Sequence, residues 1–207
     1  MLGAILASRY KSENTLVLAL PRGGVPVGFE IAQELNAPLD VVVSKKLGAP
    51  HNKEFGIGAV AEEEIVIINQ PTVELLQLTT REIDEAEERE EQEVKRLVTL
   101  YRQNRPLPDL SDEVVIVVDD GLATGVTAKA ALDVVEKHHP LAVVFAAPVC
   151  ALDTSGSISQ LVDDTVCLNS QHEIQAISLW YQDFNQVSDE QVLSLLHSRQ
   201  QHQYLSP

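Results

Sequence analysis

Val114-Val-Ile-Val-Val-Asp119-Asp120-Gly121-Leu122-Ala123-Thr124-Gly125-Val126-Thr127 sets an apolar run, two carboxylates and a loop of small residues in one line. The β-branched run reads as a buried strand, and the amphipathic stretch over 124–138 reads as a helix. A loop at a helix N-terminus presents backbone N–H groups and hydroxyls to a phosphate, and the helix dipole favours the negative charge. The carboxylates just before it stand a sugar's width away, suited to ribose hydroxyls. Two other phosphate motifs are excluded by spacing: Lys129 is not adjacent to Gly125, so there is no Walker A loop, and G-x-G-x-x-G is missing.

Outward from this stretch, short β-branched runs at 16–20, 39–43, 141–147 and 165–168 alternate with amphipathic segments such as 25–35. That is the pattern of βα units and predicts an α/β chain with a mainly parallel sheet of about five strands flanked by helices. Pro21-Arg22-Gly23-Gly24, Gly48-Ala49-Pro50 and Pro140 fall where strands and helices should end. One segment, about 71–105, breaks the alternation. Eight acidic residues lie between Glu82 and Glu93, and Leu75, Leu78, Ile83, Ala86, Val94, Leu97 and Tyr101 give only a discontinuous apolar stripe. A long solvated helix or a hairpin is expected there, inserted into a single domain spanning 1–207.

The bulk composition narrows the function classes. A formal net charge of −16 argues against a nucleic-acid-binding surface, which leans on Lys and Arg to neutralise phosphates. No apolar run approaches the ~20 residues that span a bilayer, and no secretory leader pattern opens the chain, so a cytoplasmic protein without membrane contact is expected. Cys150 and Cys167 are the only cysteines; with no CxxC pair and apolar neighbours, they are expected as two buried thiols. HExxH is absent, and His138-His139 end a helix where positive charge suits the dipole.

Four further segments carry candidate chemistry. In Leu18-Ala-Leu-Pro21-Arg22-Gly23-Gly24-Val-Pro-Val-Gly28 the glycines let main chain approach an anion and Arg22 adds a charge. Val41-Val-Val-Ser44-Lys45-Lys46 ends the second strand with adjacent lysines, of which alternation turns one toward a site. The stretch 48–64 reads as a loop and a following strand, with hinge freedom at Gly56 and Gly58, and with His51 and Lys53 as minor candidates. Near the C-terminus, Leu179-Trp180-Tyr181-Gln182-Asp183-Phe184-Asn185 gathers the sole tryptophan with two other aromatics.

Taken together, the Asp119–Thr127 pattern and the Pro-Arg-Gly-Gly turn resemble the type I phosphoribosyltransferases, closest to a bacterial group of predicted phosphoribosyltransferases that share both elements. The resemblance implies that fold, with a small hood built from the N- and C-terminal segments, and transfer of the phosphoribosyl group of phosphoribosyl pyrophosphate to a small-molecule acceptor. It implies that Asp119 and Asp120 hold the ribose, and that Gly121, Leu122, Ala123, Thr124, Gly125, Val126 and Thr127 hold the 5′-phosphate. Pro21, Arg22, Gly23 and Gly24 would hold pyrophosphate around a 21–22 peptide able to turn cis, assisted by Lys45 or Lys46. Asp119, Asp120, Arg22 and Lys46 are the implied catalytic set. Trp180 or Tyr181 would stack on the acceptor, and Asp183 with Asp119 and Asp120 would attend Mg²⁺. Ala123 departs from the pattern of 6-oxopurine enzymes, which carry an Asp there. A non-catalytic sensor of phosphoribosyl pyrophosphate or a nucleotide is the alternative from another class; a hydrolase acting at the same site is a third reading, and a homodimer is left open.

Overall fold

All five residues of the run Val114–Val118 are buried, as befits a strand covered on both faces. The computed structural model describes the backbone of residues 1–50 and 52–203, and the side chains of these except 53, 54 and 200–203. In chain order the elements are α1 (Leu2–Tyr10), β1 (Thr15–Ala19), α2 (Gly24–Leu35), β2 (Leu39–Val41), β3 (Ser44–Ala49), β4 (Asn52–Ala61), β5 (Ile65–Ile68), α3 (Gln70–Leu75), α4 (Thr80–Arg102), β6 (Val114–Val118), α5 (Val126–Glu136), β7 (Ala142–Ala151), α6 (Leu152–Ile158), β8 (Asp164–Gln171), a 3₁₀ turn at Ile177–Trp180, and α7 (Asp189–Gln203). They fall into two compact units: Met1–Val41 with Pro108–Gly125 and Val135–Pro207, and Val42–Leu107 with Val126–Val134.

The larger unit is built on one parallel sheet, ordered β2-β1-β6-β7-β8. These are the five strands expected from the apolar runs. Ala19 stands opposite Val118, and Val118 opposite Ala146, so β1 and β6 finish level with one another while β7 runs on to Ala151. Helix α2 lies against β1, β2 and β6, α1 and α7 pack on α2, and α6 lies against β7 and β8. Helix α1 also contacts β7 and β8. At the far end, Arg199 of α7 donates to the Ala37 carbonyl at 2.8 Å and fixes the C-terminal helix.

The expected pair of buried thiols is corrected here: Cys150 and Cys167 form a disulfide. Cys150 is buried and Cys167 half-buried. They lie on β7 and β8, neighbouring strands that bring together residues far apart in sequence, and their spacing could not show this.

The smaller unit is where the sequence reading departs most from the structure. The stretch 48–64, expected as a loop and a following strand, is strand over most of its length: β4 pairs antiparallel with β3 and β5, with register shifts at Leu47/Gly48 and Gly48/Ala49. His51 lies outside the described residues, as does the side chain of Lys53. The segment after Asn69 forms a short helix, α3, and the long helix α4, which holds all eight of the acidic residues from Glu82 to Glu93. Thr79 caps α4 through a reciprocal box: the Glu82 N–H donates to Thr79 Oγ1 at 3.3 Å, and the Thr79 N–H donates to Glu82 Oε2 at 2.9 Å. Ala86, Val94, Leu97 and Tyr101 supply its buried stripe, against β3 and β4. Its last residue, Arg102, is buried and paired with the Glu62 carboxylate, whose other oxygen accepts the Val43 N–H at 2.8 Å. Burial raises the Glu62 pKa, and Arg102 opposes that rise.

Candidate functional site

Because β1 and β6 run parallel and end level, the segments that follow them leave the sheet side by side at its C-terminal edge, where open α/β sheets bind ligands. After β1 comes Pro21–Gly24 and after β6 comes Asp119–Gly125. The Leu20 N–H donates to the Val118 carbonyl at 2.8 Å and ties the two exits together. A Cβ on Gly23 would collide with Asp120 Oδ2, so only glycine lets the Asp120 carboxylate lie against the first turn. The peptide joining Pro21 and Arg22 is cis. The Gly24 N–H is engaged within the turn, donating to the Leu20 carbonyl at 3.0 Å. Arg22 is exposed, with Nη1 3.7 Å from Asp189 Oδ1 in the first turn of α7.

Asp119 and Asp120 are half-buried neighbours, and the Asp120 N–H donates to Asp119 Oδ1 at 2.8 Å. Burial first, then the charge of Asp120, raises the Asp119 pKa well above the aspartate range; burial likewise raises that of Asp120. A cation beside these carboxylates would oppose both rises. The pair fits Mg²⁺, which binds through one or two carboxylates and keeps its other positions for water and substrate oxygens. Among the described residues no group of three or more His, Cys, Asp or Glu gathers to hold a metal. Asp183 is exposed, and its Oδ1 accepts from Asn185 Nδ2 at 2.7 Å.

The loop is fastened from below. Leu122 is buried, its N–H donates to the Val149 carbonyl at 2.8 Å, and its own carbonyl accepts from the Ala151 N–H at 2.8 Å. Leu122 is thus the loop's anchor, with its amide turned to the sheet. Thr154 Oγ1 donates to the Ala123 carbonyl at 2.7 Å. Gly125 adopts φ +70°, and a Cβ there would meet the Thr154 methyl at 2.5 Å, so both backbone and space call for glycine. Helix α5 opens at Val126 with that glycine as its N-cap; Thr124 is exposed, and Val126 and Thr127 are half-buried.

A third segment closes on the same loop. Tyr181 Oη donates to the Asp120 carbonyl at 2.7 Å, and the Tyr181 ring lies 5.2 Å from that of Phe184. Burial, then the charges of Asp120 and Asp119, push the Tyr181 hydroxyl pKa up. Trp180 is 42% exposed. The side chain of Ile177 occupies the space that a Cβ on Gly121 would need.

The larger unit therefore brings together Pro21, Arg22, Gly23, Gly24, Asp119, Asp120, the Gly121–Gly125 loop and Tyr181. Lys45 and Lys46 are corrected in position: they sit inside β3, opposite Val60 and Ala59, not at the end of β2. The chain leaves the parallel sheet at Val41, and both lysines belong to the antiparallel one. Lys45 is half-buried and Lys46 exposed, its side chain lying over Gly56. Sequence reasoning missed Thr154, Ile177 and Asp189, which reach the site through the fold and carry no local motif.

Residues 2–184 match the family model of the phosphoribosyl transferase domain. "Putative phosphoribosyl transferase Rv0571c" of Mycobacterium tuberculosis (strain ATCC 25618 / H37Rv) is 38% identical over 189 residues, which are 91% of this chain and 43% of that protein. A protein of strain CDC 1551 / Oshkosh, "Putative phosphoribosyl transferase MT0597", matches to the same extent, so the chain spans under half the length of these curated relatives. The crystal structure of TT1426 from Thermus thermophilus superimposes with a TM-score of 0.76 at 34% identity, covering 95% of this chain and 93% of that one.

Proposed function

The chain belongs to the phosphoribosyl transferase domain family, and from that premise we propose that it transfers the 5-phosphoribosyl group of phosphoribosyl pyrophosphate to a nitrogen acceptor, releasing pyrophosphate. The observation that supports the reading is the contact of the Asp120 carboxylate with Gly23, which sets the Pro21–Gly24 turn beside the carboxylate pair.

Each part has a role in that reaction. Asp119 and Asp120 accept from the ribose hydroxyls and face the positive charge that develops at C1 as the bond to pyrophosphate breaks. The loop after them receives the 5′-phosphate at the start of α5, where the helix dipole favours it. Arg22 offers its guanidinium to the departing pyrophosphate, exchanging the half-buried Asp189 carboxylate for a more highly charged partner. Asp119 and Asp120 would hold Mg²⁺, which supplies charge neutralisation at pyrophosphate and ribose oxygens.

The test is direct. Calorimetry should show phosphoribosyl pyrophosphate binding in the presence of Mg²⁺, and incubation with a panel of bases should release pyrophosphate with at least one of them. Binding without release for any acceptor would favour the sensor, and release with no acceptor present would favour a hydrolase.

A further inference from the structure

Tyr181 is held at both ends, by its hydroxyl bond to the Asp120 carbonyl and by ring contact with Phe184, so it is not free to swing onto an acceptor. The next residue of the loop is held as well, since Ile177 fills the space beside Gly121. Two consecutive residues, Asp120 and Gly121, thus dock one short segment on the ribose side of the site. Between those two anchors lies Trp180, exposed and the only tryptophan of the chain.

We propose that Tyr181 is a positioning residue, whose bond to the Asp120 carbonyl couples the carboxylate pair to the segment bearing Trp180, so that seating of the phosphoribosyl ligand sets the aromatic face an acceptor meets. The inference rests on the phosphoribosyl reading of this site. Its physical basis is that the bonded carbonyl belongs to the residue whose carboxylate takes the ribose. A shift of that residue on binding is passed to Tyr181 through a directional bond, and to Trp180 through the next peptide.

Tyr181→Phe removes the hydroxyl and keeps the ring. Its test is the fluorescence of Trp180 during titration with Mg²⁺ and phosphoribosyl pyrophosphate, without any acceptor, set beside calorimetric affinities. Wild type should show a saturable change in emission. In Tyr181→Phe the emission change should fall by at least half, while affinity weakens only about five- to tenfold, the loss of one hydrogen bond. Ile177→Ala, which releases the second anchor, should reduce the emission change further when combined with Tyr181→Phe. A full emission change in the Tyr181→Phe variant at saturation overturns the inference and leaves the phosphoribosyl reading standing. Absence of calorimetric binding by wild type overturns that reading and this inference with it.

Discussion

At the scale of single residues, Asp119 makes the sharpest prediction. Its folded pKa is raised, so its contribution to stability is greatest when it is protonated and is lost as pH rises through the folded value. Asp119→Asn should therefore melt higher than wild type at neutral pH, on the order of 2–4 °C for each kcal/mol relieved. As pH falls from the raised folded value toward about 3.9, wild type should gain on the variant. Melting curves across pH read the sign, and calorimetry of the same variant should show Mg²⁺-dependent binding of phosphoribosyl pyrophosphate lost. A variant that melts lower at every pH would count against the assigned cause. Gly125 makes the second prediction. A β-branched residue at φ +70° costs roughly 1–2 kcal/mol and meets Thr154, so Gly125→Val should fold, melt lower and gain no thermal protection from ribose 5-phosphate. Ala123 makes the third: without the acid–base carboxylate of 6-oxopurine enzymes, hypoxanthine and guanine should be poor acceptors, and rapid formation of inosine monophosphate would refute this.

At the scale of elements, the C-terminal turn of α4 depends on one buried pair. Replacing Arg102 alone leaves Glu62 charged and buried among apolar residues, which costs about 3–5 kcal/mol. Arg102→Leu should thus be strongly destabilised in urea, and adding Glu62→Gln, which keeps an acceptor for the Val43 N–H, should return a good part of the loss. This pair was not legible in the sequence, because nothing local joins residues 62 and 102. The parallel strands were legible for the opposite reason. The central ones are buried and so read as apolar runs, as Val114–Val118 does, whereas the edge strand β8 is buried only at Val166 and was marked by the short run 165–168. In β3 and β4, Lys45, Lys46, Gly56 and Gly58 break any such run, and a strand of an antiparallel sheet needs none. Ile65–Ile68 carries the β-branched signature and forms β5, yet a reading built on alternating βα units leaves it no place. The two loops of the site were legible because small residues and carboxylates must follow the strands directly; Thr154, 31 residues from its partner Ala123, left no trace.

At the scale of the whole molecule, the site belongs to the sheet and its closure belongs to the C-terminal segment, so any fragment ending before Ile177 should keep the carboxylates but lose what Tyr181 and Ile177 contribute. Relatives more than twice as long carry this same span, which fits a unit able to work beside other domains. No helix of the described residues is long and apolar enough to cross a membrane. The disulfide sits less easily with the cytoplasmic expectation, since the cytosol keeps most thiols reduced. Cys150 lies on β7 between Val149 and Ala151, the two residues whose N–H or carbonyl groups secure Leu122, while Cys167 lies on the sheet's outermost strand and is partly open to reagents. Samples that differ by a pair of hydrogens at these sulfurs are therefore different preparations of the phosphate loop's foundation. Glutathione poise, storage history and any thiol carried over from purification become experimental variables, and intact mass with and without alkylation belongs beside every affinity measured.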